Sequence, residues 1–331
     1  MNILAVETSC DETAAAVVRD GYEASSDVIA SSCEAFVKYG GVVPEIASRK
    51  HLEYLSDVCG KAVSDAGMTF GDIDAVAVTY GPGLIGALLV GVSGAKAIAY
   101  ALKKPLIAVH HIKAHICANY IESPMLKPPF VGLVASGGHS HIIYARDYVD
   151  FEILAKTRDD AAGEAFDKVA RVLSLGYPGG PLLEALAKNG NDEAYKFPRV
   201  KFPNYDFSFS GVKTAVINEL HRAKQANADI NKADVAASFQ KAIVDVLVDN
   251  TVSLAIRKKT DKVVMAGGVA CNKTLYEAFA KKTKQHGLEL YCPKPRLCTD
   301  NAVMTGCCAY FMAQQEEFAD MGLNAFATVP L

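Results

Sequence analysis

The sequence predicts an α/β protein built of two related halves, and three observations carry that prediction. Strand-like apolar runs alternate with amphipathic helical stretches along the chain, the pattern of sheets buried beneath helices. A strand, polar turn, strand layout, NILAVET-SCDE-TAAAVVRD, returns in weaker form as FVGLVASGGHSHIIYA at residues 130–145, which reads as an internal duplication. With 331 residues, 50% of them apolar, the chain is too long for one ordinary core and can fill two.

Charge and cysteine usage narrow the class. The net charge of −3 provides no global attraction for nucleic acid, so an RNA partner would have to meet a local basic patch such as Arg257, Lys258 and Lys259. Nine cysteines without a C-x-x-C pair suggest reduced thiols and a cytoplasmic protein. MNILAVETSC has no basic region ahead of an apolar one, and no run is read as reaching the roughly 18 to 20 apolar residues that cross a bilayer. Neither export nor a membrane is therefore expected.

Taken in order, the first hairpin turn is crowded with hydroxyls and carboxylates, and Ser9, Asp11 and Glu12 could face phosphate groups and their bound cation, or simply close a hairpin. Residues 50–66 and 84–103 read as helices, the second rich in small residues. The strand IDAVAVTYG before it ends at Gly81, Pro82 and Gly83, a connector or a pocket wall. In VHHIKAHICANY, 109–120, His111 and His115 stand four apart in a helical segment and so share one face. Two stacked imidazoles can ligate one borderline metal, or they line a helix surface. ESPMLKPPF, 122–130, reads as a linker.

Ser136, Gly137 and Gly138 form the turn of the second hairpin, where bare backbone can approach an anion. In DDAAGEAFDKVARVLSLGYPGGPLLEALAKNG, the helix dipole accounts for Asp159 and Asp160 but not for Asp167, which lies inside the helix beside Glu164 and Arg171. With Gly179, Gly180 and Glu184 it suits ribose hydroxyls or another polar small molecule. PRVKFPNYDFSFSGVK, 198–213, is a loop whose aromatics make a satellite core or a base-stacking platform. KVVMAGGVACNKTLYEAFAKK runs from a strand through Gly267 and Gly268 into a helix, a start that favours phosphate. This junction carries neither G-x-G-x-x-G nor G-K-[ST], so the dinucleotide and P-loop readings fail for it. Asp300, in CPKPRLCTDNAVMTG, reads as an N-cap worth about 1 kcal/mol and as a third oxygen ligand completing a two-histidine, one-carboxylate set.

The ordered motifs VETSCDETAAAVV, GGVVPEIASRKH, TYGPGLIGALLVG, HHIKAH, SGGHS, DDAAGEAFDKVAR, YPGGP, FSFSGVKTAV, AGGVACN and CTDNAVM resemble the universal tRNA N6-adenosine threonylcarbamoyltransferases, in their bacterial form, over nearly the whole chain. The resemblance implies the actin, Hsp70 and sugar-kinase (ASKHA) fold, with two duplicated sub-domains around a nucleotide cleft: residues 1–108, rejoined by a helical segment over 301–331, and residues 109–300. It implies that His111, His115 and Asp300 bind one divalent metal, iron rather than zinc. One departure is His110, where the family often has Asn.

The same resemblance assigns Val134, Ala135, Ser136, Gly137, Gly138, Asp167, Gly180, Glu184 and Asn272 to the substrate threonylcarbamoyl-AMP. The implied reaction is attack by N6 of the adenosine 3′ of the anticodon, in tRNAs reading codons that begin with A, on the carbamoyl carbon, with AMP leaving. The metal would polarise the electrophile and backbone amides near Ser136 and Gly137 would stabilise phosphate charge. No general base is dictated.

The implied partners are tRNA, an inactive paralogue on the N-terminal sub-domain, with the helices at 50–66 and 84–103 as its candidate contact, a small P-loop ATPase, and a separate threonylcarbamoyl-AMP synthase. Three rivals are a metallopeptidase, an ASKHA small-molecule kinase and a non-catalytic binding subunit. The peptidase pattern H-E-x-x-H needs a glutamate where this chain has Ile112. A kinase would have no use for the histidine pair, and an inactive subunit would have lost it.

Overall fold

Strand β1 (Asn2–Glu7) is buried at every residue after its first, as expected of an apolar run in a sheet covered on both faces. The computed structural model describes residues 1–331. β1 pairs antiparallel with β2 (Glu12–Arg19), with Leu4 opposite Val17 and Val6 opposite Ala15, which makes the predicted first hairpin. Two short strands, β3 (Glu23–Ala24) and β4 (Val28–Ser31), extend β2. Helix α1 (Pro44–Asp65) begins six residues before the expected 50, because Pro44 with its fixed φ occupies the first helical turn after an extended Val43. β5 (Ala75–Gly81), α2 (Ile85–Leu102) and β6 (Leu106–His110) follow, with β1, β5 and β6 parallel. α3 (His111–Glu122) starts directly from β6.

The second sheet repeats the plan of the first. β7 (Phe130–Ala135), β8 (Ser140–Ala145) and β9 (Phe151–Lys156) lead to α4 (Ala162–Val172), α5 (Gly179–Ala187), α6 (Ser210–Gln225) and the long α7 (Lys232–Lys258). β10 (Lys262–Ala266), α8 (Lys273–Gln285) and β11 (Glu289–Tyr291) complete it. The first sheet runs β3-β2-β1-β5-β6 and the second β9-β8-β7-β10-β11, with β7, β10 and β11 parallel as β1, β5 and β6 are. A shared strand order with the same parallel triplets makes the internal duplication a property of topology rather than of residue identity. The fold is therefore the duplicated α/β fold of the ASKHA class. The chain then returns through α9 (Pro295–Cys298) and α10 (Ala302–Gln314).

By contacts the chain forms two units. One is Met1–Pro128 with Ala145–Phe151 and Pro293–Leu331; the other is Pro129–Tyr144 with Glu152–Cys292. The division expected at 108/109 thus falls about 20 residues later, inside the stretch read as a linker, because α3 packs on α10 within the first unit. In that unit Leu4, Val6, Ala15 and Val17 on one sheet face pack with Val58 of α1 and Leu88 and Val92 of α2. On the other face Gly306 of α10 lies so close to Val18 and Ala5 that a Cβ there would overlap Val18.

One expectation changes and one open alternative is decided. α2 is 18 residues long with a mean hydropathy of 1.7, so one helix does reach membrane length and apolarity. Its Ala87, Leu88, Gly91, Val92, Ala95 and Ala99 are buried and Lys96 donates to the Leu323 carbonyl, while Ile85, Leu89 and Tyr100 on its other side are exposed. In the second unit Phe207 and Phe209 of the aromatic loop are buried and stacked 5.6 Å apart, a satellite core and not an open base platform.

Candidate functional site

In the first unit α3 and the start of α10 bring His111, His115 and Asp300 together, with ligand atoms all within 4.8 Å of one another. His115 Nε2 lies 3.2 Å and His111 Nε2 3.6 Å from Asp300 Oδ1, and the two rings sit edge to face with centroids 4.6 Å apart. The helical spacing put both imidazoles on one face, and packing of α3 on α10 supplied the carboxylate. Asp300 is not the N-cap of α10. Asn301 takes that role by accepting from the Met304 amide at 2.9 Å, which leaves the Asp300 carboxylate directed at the histidines.

Beneath the pair stands Glu7, fully buried at the end of β1. Its Oε2 is 3.4 Å from His111 Nδ1, Thr79 Oγ1 donates to Oε2 at 2.5 Å, and the Ser9 amide donates to Oε1 at 2.6 Å. Ser9 Oγ is a further neighbour of His111 Nδ1 at 3.2 Å. Burial opposes charge on His111, but Asp300 and then Glu7 overcome it and push its pKa up to about 9. Burial dominates at His115 and lowers its pKa, so that imidazole is neutral near pH 7. At Glu7 burial works against ionisation, yet the attraction of His111 keeps the carboxyl below its usual range.

The residues fit a divalent cation. Both ring nitrogens of His115 are buried and neither makes a well-aligned hydrogen bond, Nε2 having only Asp300 Oδ1 at 3.2 Å beside it, an arrangement costly for imidazole unless something else coordinates it. A carboxylate behind Nδ1 of His111 fixes the tautomer that aims Nε2 outward, as is usual behind metal-bound histidine. Two imidazoles and one carboxylate with open positions are the donor set of non-haem iron(II) centres. Sequence reasoning missed Glu7, although a lone carboxylate ending the apolar strand NILAVE was the available signal.

The turn with Ser9, Asp11 and Glu12 belongs to the same neighbourhood. Burial, and next the charge of Asp300, raise the pKa of Asp11. Burial raises that of Glu12 to about 7, although Ser31 Oγ donates to it at 2.9 Å. So many carboxylates favour the cation half of the expectation for this turn and disfavour a bare phosphate.

A separate pocket of about 180 Å³ lies within the second unit. Of the nine residues assigned to substrate it gathers Gly137, Asp167, Gly180, Glu184 and Asn272, and it adds Phe166, Pro181, Val269 and Cys271, which the sequence reading had not singled out. Gly163 and Phe166 could have been found one helical turn and one residue before Asp167. Gly163 and Gly180 place the starts of α4 and α5 at the pocket, and Asn272 the start of α8, so the positive ends of three helix dipoles lie at its lining.

The other four residues contribute differently. Val134 and Ala135 are buried at the end of β7, so only their backbone can meet a ligand. Ser136 is committed: its amide donates to the His139 carbonyl at 2.8 Å and its carbonyl accepts from Gly163 at 3.1 Å. Charge stabilisation expected from the Ser136 amide therefore passes to Gly137 and Gly138. Asn272 caps α8 through Oδ1 and donates to Gln240 through Nδ2, which leaves one amide hydrogen for a ligand. Asp167 accepts from the Gly179 amide at 2.8 Å, while burial raises its pKa. Glu184 accepts from the Lys273 amide at 3.0 Å. In the basic patch, Lys258 is tied to Glu152 at 3.2 Å, whereas Arg257 and Lys259 are exposed.

A duplicated two-sheet fold carrying a buried imidazole pair beside a carboxylate defines an ASKHA-class protein with a centre whose donors suit a metal ion. Solved structures similar in fold include full-length HypF in a phosphate- and nucleotide-bound form, at TM-score 0.64 and 17% identity, covering 96% of this chain and 46% of that one. This chain thus spans about half the length of HypF. Another is component A of (R)-2-hydroxyglutaryl-CoA dehydratase from Acidaminococcus fermentans, at TM-score 0.56 and 15% identity, covering 95% and 99%.

Residues 23–307 match the family model for tRNA N6-adenosine threonylcarbamoyltransferase (TsaD), and the chain belongs to that family. Relatives of that name include one from Clostridium botulinum strain Kyoto, 55% identical over 333 residues covering 100% of this chain and 98% of the relative. Another, from Clostridium perfringens strain SM101, is 56% identical over 325 residues covering 98% and 96%.

Proposed function

We infer that this protein transfers the threonylcarbamoyl group from threonylcarbamoyl-AMP to N6 of the adenosine 3′ of the anticodon in tRNAs reading codons that begin with A, releasing AMP. The observation that carries the reading is the family match over residues 23–307, with near full-length relatives of that name. The intact trio of His111, His115 and Asp300 speaks against an inactive subunit and a sugar-kinase-like role, and buried Ile112 in place of a glutamate speaks against a peptidase.

In this reading His111, His115 and Asp300 hold one divalent ion, iron before zinc by donor set, which when bound supplies a Lewis acid for the carbamoyl group. Glu7 and Ser9 orient His111. The helix starts of α4, α5 and α8 receive the phosphate, with Gly137 and Gly138 offering amides, while Asp167 and Glu184 accept from ribose hydroxyls. Phe166, Pro181 and Val269 supply apolar contact for the base. The chemistry is then mainly positioning and electrostatic in character.

An exposed apolar groove between α1 and α2, of about 640 Å³ and bordered by Leu52, Leu55 and Leu89, supports the proposal that the inactive paralogue docks there. The P-loop ATPase, the upstream synthase and a cytoplasmic location rest on the family resemblance. The test is incubation with synthase, threonine, bicarbonate, ATP, partner proteins and tRNA. Modified adenosine and AMP should appear together, and only when this protein is present. Transfer of phosphate from ATP to a small molecule instead, with unmodified tRNA, would favour the kinase.

A further inference from the structure

After α10 the chain runs back across the first unit and is held there largely through its main chain. The Ala319 amide donates to Leu106 O at 2.8 Å, and the Phe326 amide to Tyr80 O at 2.9 Å. The Gly83 amide donates to Ala327 O at 3.2 Å. The Phe326 ring meets Tyr80 edge-on, and Tyr80 meets His110 in the same way. Gly81 has to be glycine beneath this segment, since a Cβ there would overlap the Phe326 carbonyl.

Two lines of contact lead from the segment to His111. In the first, buried His110 lies 3.3 Å through Nε2 from Val329 O and accepts at Nδ1 from the Ile112 amide at 3.2 Å. A carbonyl can only accept, so Val329 keeps the proton on Nε2 and leaves Nδ1 free to cap α3, the helix that carries both histidines. In the second, Ala327 holds Gly83, the adjoining Leu84 amide donates to Ser9 O at 2.8 Å, and Ser9 Oγ stands against His111 Nδ1.

We propose that residues 326–329 are a positioning strap for the metal centre, setting the His110 tautomer and the Ser9 turn so that His111 Nε2 faces Asp300 before a cation arrives. The proposal rests on reading His111, His115 and Asp300 as the ligands. Its geometry explains why an imidazole stands at position 110. An asparagine there would cap α3 equally well but could not also reach Val329.

The experiment compares the full-length protein with two variants: one truncated after Ala325, which removes the Phe326 amide and the Ala327 and Val329 carbonyls, and His110→Asn. Zn2+ affinity is measured by competition with a chromogenic chelator, and amide exchange is followed across α3. The truncated variant should lose about tenfold to a hundredfold in affinity, as for loss of a partner supporting a metal ligand. His110→Asn, which keeps the cap and should fold, should lose about tenfold, the lower end of the same range. The double variant should lose no more than the truncated variant, because the line of contacts that runs through His110 is already lost with Val329. Equal affinity in the folded His110→Asn variant and the wild type would overturn the strap, as would losses that add in the double variant. Wild-type protein whose Zn2+ binding survived His111→Ala would instead overturn the ligand assignment beneath it.

Discussion

Replacing Glu7 by Gln tests the centre most directly, because it changes one charge and almost no volume. Glu7 Oε2 lies 3.4 Å from His111 Nδ1, and at an effective dielectric of about 20 that pair attracts by about 5 kcal/mol. Most of this is offset by the cost of burying the charge, and the amide oxygen of Gln can still accept from one donor. What remains for the metal is the loss of the carboxylate that orients His111, about tenfold to a hundredfold in affinity. The variant should also be less stable by about 1 to 3 kcal/mol, since a Gln N–H would oppose either the Ser9 amide or the Thr79 hydroxyl, both of which now donate to Glu7. Chelator competition measures the first effect and urea unfolding of the metal-free protein the second. Wild-type metal affinity in Glu7→Gln, with the His111 dependence intact, would refute the account of how His111 is oriented.

Three further outcomes are expected. A bound cation must displace the proton that His111 holds up to about pH 9, so apparent affinity should rise about tenfold per pH unit between 7 and 9 and then level off. Calorimetry in buffers of different ionisation enthalpy should find close to one proton released at pH 7, and none would contradict the assignment. Gly180→Val and Gly268→Val place side chains in open space at the pocket and should fold normally while losing AMP binding, measured by fluorescence titration; Gly163→Val would meet the Ser136 carbonyl at about 2.6 Å and should lower the melting temperature instead. Leu52→Asp, at a residue 68% exposed in the α1–α2 groove, should leave the unfolding midpoint unchanged and abolish co-elution with the paralogue.

Much of this protein is legible one segment at a time. The period-2 and period-3.6 patterns place most strands and helices, and the spacing of His111 and His115 alone puts two imidazoles on one helical face. The duplicated hairpin announces two related sheets. These features depend on residues within a few positions of one another, where local sterics and hydrogen bonding decide the outcome. What the motifs leave open is the division of labour among neighbours. Asp300 and Asn301 are equally good caps on paper, and only the packing of α10 on α3 assigns the cap to one and the ligand role to the other. Ser136 and Asn272 carry the right chemistry for a ligand, but neighbouring backbone and Gln240 already occupy most of it.

The chain's order of residues therefore determined the fold class, the histidine pair and the glycine turns, because each is written in short-range pattern. Tertiary packing alone decided that Glu7 stands behind His111, that α3 belongs with the first sheet, and that Val329 near the end of the sequence meets His110 at the start of the helix carrying the histidine pair. Those relations join residues far apart along the chain, and only the burial of shared apolar faces brings them within reach of one another.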